Sequence, residues 1–184
     1  MNIFYKIYLK NKNKKQYKNY IHDHKMNVLK AFYEMLECKE LDNIVKNSSI
    51  LYPLWLRVLE HDDSKYSKEE FEPYRKNFYP INQEEKEKNK EAFDKAWEHH
   101  YLVNDHHWQH RQNNKEEQEL STETKLACLE NVLDWLAMGY QFNDRPYQYY
   151  EKNKDNIILP ECQKKFIEMI IYEGIDKKFI QEEK

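Results

Sequence analysis

Residues 51–65 read "LYPLWLRVLEHDDSK". Leu51, Leu54, Trp55 and Val58 recur every three or four residues, the spacing of one face of an α-helix. His61 lies seven residues after Leu54, and Asp62 seven after Trp55. Both therefore continue the apolar face, at the C-terminal end of a helix predicted over about residues 46–62. Imidazole and carboxylate are metal ligands, and a buried stripe is an expensive place for either without a partner. The partners have to come from the rest of the chain.

Upstream, a helix is predicted over about residues 16–37. Ile21, Val28, Phe32, Met35 and Leu36 share its apolar face, and His24 falls one turn before Val28, whereas His22 points elsewhere. Downstream, Ser67 and Glu70 form the capping-box pattern S-x-x-E at the start of a short helix through Phe71 and Tyr74, which Pro80 ends. A charged helix over about 83–103 carries Phe93, Ala96, Trp97 and His100 on one stripe. "NDHHWQHR" is expected to turn into a short helix. A long helix over about 122–138 buries Leu126, Leu129, Leu133 and Ala137, with Glu130 and Asp134 one turn apart and Gly139 as its expected stop. The last helix is expected to start near Pro160 and end near Gly174. No segment reads as a strand, so the expected fold class is all-α.

Composition agrees. With 2 Gly and 5 Pro in 184 residues, the chain is too poor in turn formers for a β protein. The organisation expected is a basic N-terminal arm over residues 1–15 and a single helical domain over 16–184. A net charge of -3 argues against general nucleic-acid binding. Cys38, Cys128 and Cys162 lack metal-site spacing, and their odd number fits a reduced, cytoplasmic setting. No apolar run approaches the roughly 20 residues of a membrane span. The opening "MNIFYKIYLKNKNKK" is too short in apolar residues and too interrupted by Lys for a signal peptide. The expectation is a protein with no membrane partner, whose Lys run is a solvated arm, with contact to an anionic partner as the alternative.

All eight histidines lie between positions 22 and 110, five of them within "HHYLVNDHHWQH". Such a cluster is a surface accident, a hydrogen-bond network or a metal site. A helix-facing His24, the pair His61–Asp62, the doublets His99–His100 and His106–His107, and Asp134 favour the metal. The candidate ligands are His24, His61, Asp62, His100, His106, His107 and Asp134. His100 is preferred over His99 because it follows Phe93, Ala96 and Trp97, while His106 and His107 both stay open. The ligand types suit one or two divalent ions such as Mn, Fe, Zn, Ni or Mg. Glu130 is an extra ligand, a general base or an orienting partner for a histidine.

The order H…HD…H…H…D across helices resembles the HD-domain metalloprotein superfamily. A closer resemblance is to a family of uncharacterised bacterial and phage proteins with the patterns HDxSK(Y/F)SxxEFxxY, AWxHHxxxNxHHWQxW and ExxxDW. Here these read "HDDSKYSKEEFEPY", "AWEHHYLVNDHHWQHR" and "ENVLDW". The resemblance covers about residues 20–140, with Asp105 in place of a Pro and Arg111 in place of a Trp. It implies an HD-like helical bundle around a central metal site, with Lys65 contacting a substrate phosphate. The function it implies is a metal-dependent phosphohydrolase acting on a nucleotide or another small phosphate ester, with Lys65 and Glu130 as catalytic candidates. Two other readings use the same residues: an HD-type diiron oxygenase, and a metal-stabilised protein that binds a protein partner without catalysis.

Overall fold

The structure is a computed structural model and describes residues 2–116 and 118–182. In chain order its helices are α1 (Ile3–Glu37), α2 (Asp42–Val45), α3 (Ser48–Glu60), α4 (Phe71–Phe78), α5 (Gln83–Lys88), α6 (Lys90–Val103), α7 (Trp108–Arg111), α8 (Thr122–Phe142), α9 (Pro146–Asn153), α10 (Glu161–Glu168) and α11 (Lys177–Glu182). Two 3-10 turns, Lys39–Leu41 and Asp63–Tyr66, and a π-helical stretch, Met169–Ile175, complete the order. No strand occurs among the described residues, and the fold is all-α.

α1 starts at Ile3, well before the expected residue 16, so the stretch read as an arm is helical. The physical reason is plain in the sequence: no Gly or Pro precedes Pro53, and nothing breaks the helix before Cys38. The charged helix expected over 83–103 is two helices, because Asn89 turns inward and donates its amide to the Pro73 carbonyl at 2.7 Å.

Contacts divide the chain into two compact units, Met1–Asp23 with Asp62–Asn104, and His24–His61 with Asp105–Lys184. The first is small and aromatic. Tyr17, Ile21, Tyr74 and Ala96 are its buried centre, and Phe93 packs edge-on against Tyr74 with ring centroids 5.2 Å apart. Arg75 is fully buried there, and its guanidinium bridges Glu85 (3.0 and 3.1 Å) and Glu72 (3.2 Å), which offsets the desolvation of the charge.

The second unit is built around α8, which is buried on nearly every face and packs against α3 and α10. Leu126, Leu129, Leu133 and Ala137 are all in its core, and each fully buried Leu contributes about 1.5–3 kcal/mol. Ser121 caps α8 by accepting the Thr124 N–H. The helix passes through Gly139, its expected stop, and ends at Asn143 in the left-handed region (φ 55°). The Asp144 N–H returns to the Gly139 carbonyl at 3.0 Å, a Schellman-type closure. Gly139 is there because the Asp144 carbonyl oxygen lies where a Cβ would be. Near the C-terminus, Gly174 is a kink inside helical structure rather than an end, and it lies against Leu41.

Candidate metal centre

In the second unit α1, α3 and α8 bring one predicted ligand each to a common point. His24 Nε2 lies 3.2 Å from His61 Nε2 and 3.2 Å from Asp134 Oδ1, and His61 Nε2 is 3.7 Å from the same oxygen. Donors bound to one ion at about 2.0–2.1 Å stand roughly 2.9–3.4 Å apart in octahedral or tetrahedral arrangements. The observed spacing is close to that of three ligands of one ion, and the trio could hold one. His24 and His61 are almost fully buried. Burial alone would raise the Asp134 carboxyl, but His24 at 3.2 Å and the neighbouring His61 outweigh it and hold the group well below its ordinary range.

The other ring nitrogen of His61 explains its orientation. Nδ1 lies 2.8 Å from Glu130 Oε1, and His106 Nδ1 is 3.2 Å from the same oxygen. A carboxylate on Nδ1 fixes the tautomer and leaves Nε2 directed at His24 and Asp134. Glu130 itself is buried, and Arg57 Nε donates to its Oε2 at 2.6 Å. Arg57 also reaches Asp105. Burial works against ionisation of Glu130, yet the bonds from His106 and His61 keep its carboxyl far below the usual range. His61, His106 and Glu130 form a second group that could hold an ion, but their short Nδ1–carboxylate distances are those of hydrogen bonds. Neither of these groups includes His107, which is half-buried with its ring centroid 4.2 Å from that of His106.

The division between the units falls on the bond between His61 and Asp62. α3 ends at Glu60, and Asp62 takes up the left-handed conformation (φ 59°, ψ 19°) before the 3-10 turn. For a residue other than glycine this conformation costs about 1–2 kcal/mol, and it aims Asp62 into the first unit. There Asp62 Oδ1 is 3.2 Å from His100 Nε2, and Oδ2 is 2.5 Å from Lys65 Nζ. Lys65, expected to meet a phosphate, neutralises Asp62. His100 Nδ1 is 2.8 Å from Glu70 Oε2, so this histidine too has a carboxylate behind it. Burial depresses the His100 pKa, but bonding to Asp62 and Glu70 raises it overall.

The S-x-x-E pattern makes Glu70 a capping residue. Its N–H does bond to the Ser67 hydroxyl, at 3.3 Å, as a capping box requires. Its side chain goes elsewhere: it is fully buried and meets His99 Nδ1 (2.8 Å), His100 Nδ1 and the Ser64 hydroxyl (3.1 Å). Those partners lie up to 30 residues away, so no local pattern signals them. Asn104, which accompanies this group, donates to the His100 carbonyl at 2.7 Å and to Ser64 at 2.8 Å. Trp135 packs with a tilted ring against Tyr149 and Tyr150, with centroids 5.1 and 6.1 Å apart, and the Trp97 ring centroid lies 5.9 Å from that of His100.

The fold and these residues define a class: an all-α protein with buried His and carboxylate groups able to hold a metal ion. Within it, the chain belongs to the family of unknown function DUF5662, which residues 13–177 match. No curated protein and no solved structure matches the chain.

Proposed function

We propose that the protein is a metal-dependent phosphohydrolase acting on a nucleotide or another phosphate ester. The observation that carries this reading is the trio His24, His61 and Asp134, with its ligand atoms 3.2–3.7 Å apart. Structural zinc sites are closed by four protein ligands, whereas three ligands leave a position for water or substrate. A divalent ion held there supplies an activated water and neutralises phosphoryl charge.

The chain's own residues have separable tasks. His24 and His61 present Nε2, Asp134 supplies negative charge, and Glu130 with Arg57 behind it keeps His61 turned toward the trio. Asp62 and His100, expected as further ligands from the sequence, are proposed as ligands within the first unit, with Glu70 orienting His100. Lys65 carries the cation nearest Asp62, and a substrate phosphate is proposed to compete with that carboxylate for it. The test is elemental analysis of protein purified without a metal-affinity tag, followed by turnover of a panel of phosphate esters. Asp134→Asn is expected to lose metal and turnover together with helical content preserved. Turnover of every ester by metal-replete wild type at the rate of a blank would sink the proposal.

One feature of the same trio favours a second reading. Two histidines and one carboxylate with an open position are also the ligand set of non-haem iron oxygenases. Iron as the native metal, with oxygen uptake and no ester turnover, would move the oxidative reading ahead.

A further inference from the structure

We infer that the N-terminal end of α1 is a docking surface for an anionic membrane. Ile3, Phe4, Tyr5, Ile7 and Tyr8 are each between 52 and 77 % exposed, five large apolar or aromatic side chains within six residues. At about 100° per residue, Ile3, Phe4, Ile7 and Tyr8 fall within an arc of roughly 140°. The same helix buries Tyr17 and Ile21 in the first unit. Ile3 lies in line with Ile21 on that buried face, and Ile7, Phe4 and Tyr8 turn progressively away from it, so the strip is wider than the buried face and offset from it.

Charge selects the occupant. The first 22 residues contain six Lys and no Asp or Glu, in a chain whose net charge is -3. Lys15 and Lys18 follow on the side of the helix that carries the strip, and both are exposed. Beside the same helix end is a cavity of ≈ 310 Å³ lined by Lys6, Lys76, Lys88, Glu84, Glu85 and Asn89, among others. Lys88 is held by Glu84 at 2.5 Å, and Glu85 is occupied by Arg75 and the Ile81 N–H. Lys6 and Lys76 make no close ion pair among the described residues, although each acts electrostatically on a carboxylate of the cavity, Lys6 on Glu84 and Lys76 on Glu85. An apolar strip with ammonium groups behind it, next to a cavity that can take a phosphate, matches the layered chemistry of a lipid surface: acyl chain, then anionic headgroup.

No helix among the described residues is long and apolar enough to cross a membrane. The strip needs only to lie in the interface, which is a smaller demand than the membrane span that the sequence rules against.

The experiment is co-sedimentation of the full chain with vesicles of phosphatidylcholine alone and of phosphatidylcholine with phosphatidylglycerol, at low and high salt. Wild type is expected to pellet with the anionic vesicles, with affinity at least about tenfold above that for the neutral ones and lost as salt rises. Phe4→Glu/Ile7→Glu is expected to lose the binding with an unchanged circular dichroism spectrum, because both positions are exposed. Lys6→Gln and Lys76→Gln are each expected to weaken it by about fivefold. Equal pelleting of Phe4→Glu/Ile7→Glu and wild type, or no pelleting with anionic vesicles, overturns the inference. Concentration-dependent self-association abolished by Phe4→Glu/Ile7→Glu, without vesicle binding, assigns the strip to a second copy and overturns it equally.

Discussion

Glu130 and Glu70 each stand behind a histidine, and this is the most informative chemistry at the scale of single residues. Each is buried, and each lies 2.8 Å from the Nδ1 of a histidine whose Nε2 faces an aspartate. Glu130→Gln removes a charge while keeping the shape, so His61 loses the acceptor that fixes its tautomer. Metal affinity is expected to fall by about 10–100-fold, read by competition with a chelating dye. An unchanged affinity would mean that Glu130 does not orient His61. Asp62 and Asp63 offer a second contrast in neighbouring positions. Asp62 is buried against His100 and Lys65, whereas Asp63 is exposed. Asp62→Asn is expected to lower metal occupancy and any ester turnover, and Asp63→Asn to do neither. Full activity in Asp62→Asn removes that residue from the site.

Helix ends decide much at the next scale. Gly139 sits one turn before the end of α8, where the chain folds back and the Asp144 carbonyl approaches. Gly139→Ala gains up to about 1 kcal/mol of helix propensity, but its methyl group overlaps a backbone atom of the closure that ends the helix. Overpacking of this kind costs about 1–3 kcal/mol, so the substitution is expected to destabilise, seen as a lower denaturant midpoint at unchanged slope. The N-terminus of α5 carries a pH-dependent contribution. Burial alone would raise the Glu85 carboxyl, but Arg75 and the Ile81 N–H hold it below its ordinary value. A carboxyl depressed in the folded state stabilises above its unfolded pKa of about 4.3, and the contribution is lost as pH falls through the folded value. Glu85→Gln is therefore expected to melt lower at pH 6 and to show a shallower loss between pH 6 and 3. Parallel melting curves in wild type and Glu85→Gln would show that the Arg75 pair carries none of this dependence.

For the whole molecule, the proposed metal would be linked to stability by mass action. An ion bound to the folded state alone at 100 times its Kd adds about 2.7 kcal/mol. Its removal by a chelator, verified by elemental analysis, is expected to lower the melting temperature by several degrees. An unchanged melting temperature after verified removal would place the whole stability in the apolar cores of the two units. The α8-centred core makes partial retention of fold the expected result, since its leucines need no metal to pack.

The helical nature of the chain and the phase of its candidate ligands are readable because both are local. Three- and four-residue spacing put His24 with Val28, placed His61 at a helix end and set Asp134 on α8, and all three are in the buried trio. Local rules failed where a side chain chose a distant partner over a near one. Glu70 has a capping pattern three residues away, but the Ser67 N–H already donates to the Ser64 carbonyl at 2.8 Å, and the Glu70 carboxylate goes to two imidazoles instead. The phase of His106 and His107 depended on the turn after Asn104, where helical phase stops being transmitted, and Glu130 of a different helix lies against His106. The apolar strip of α1 was hidden for a related reason. Spacing shows that residues share a face, but only packing decides whether anything covers it, and the described residues leave Ile3, Phe4 and Ile7 exposed.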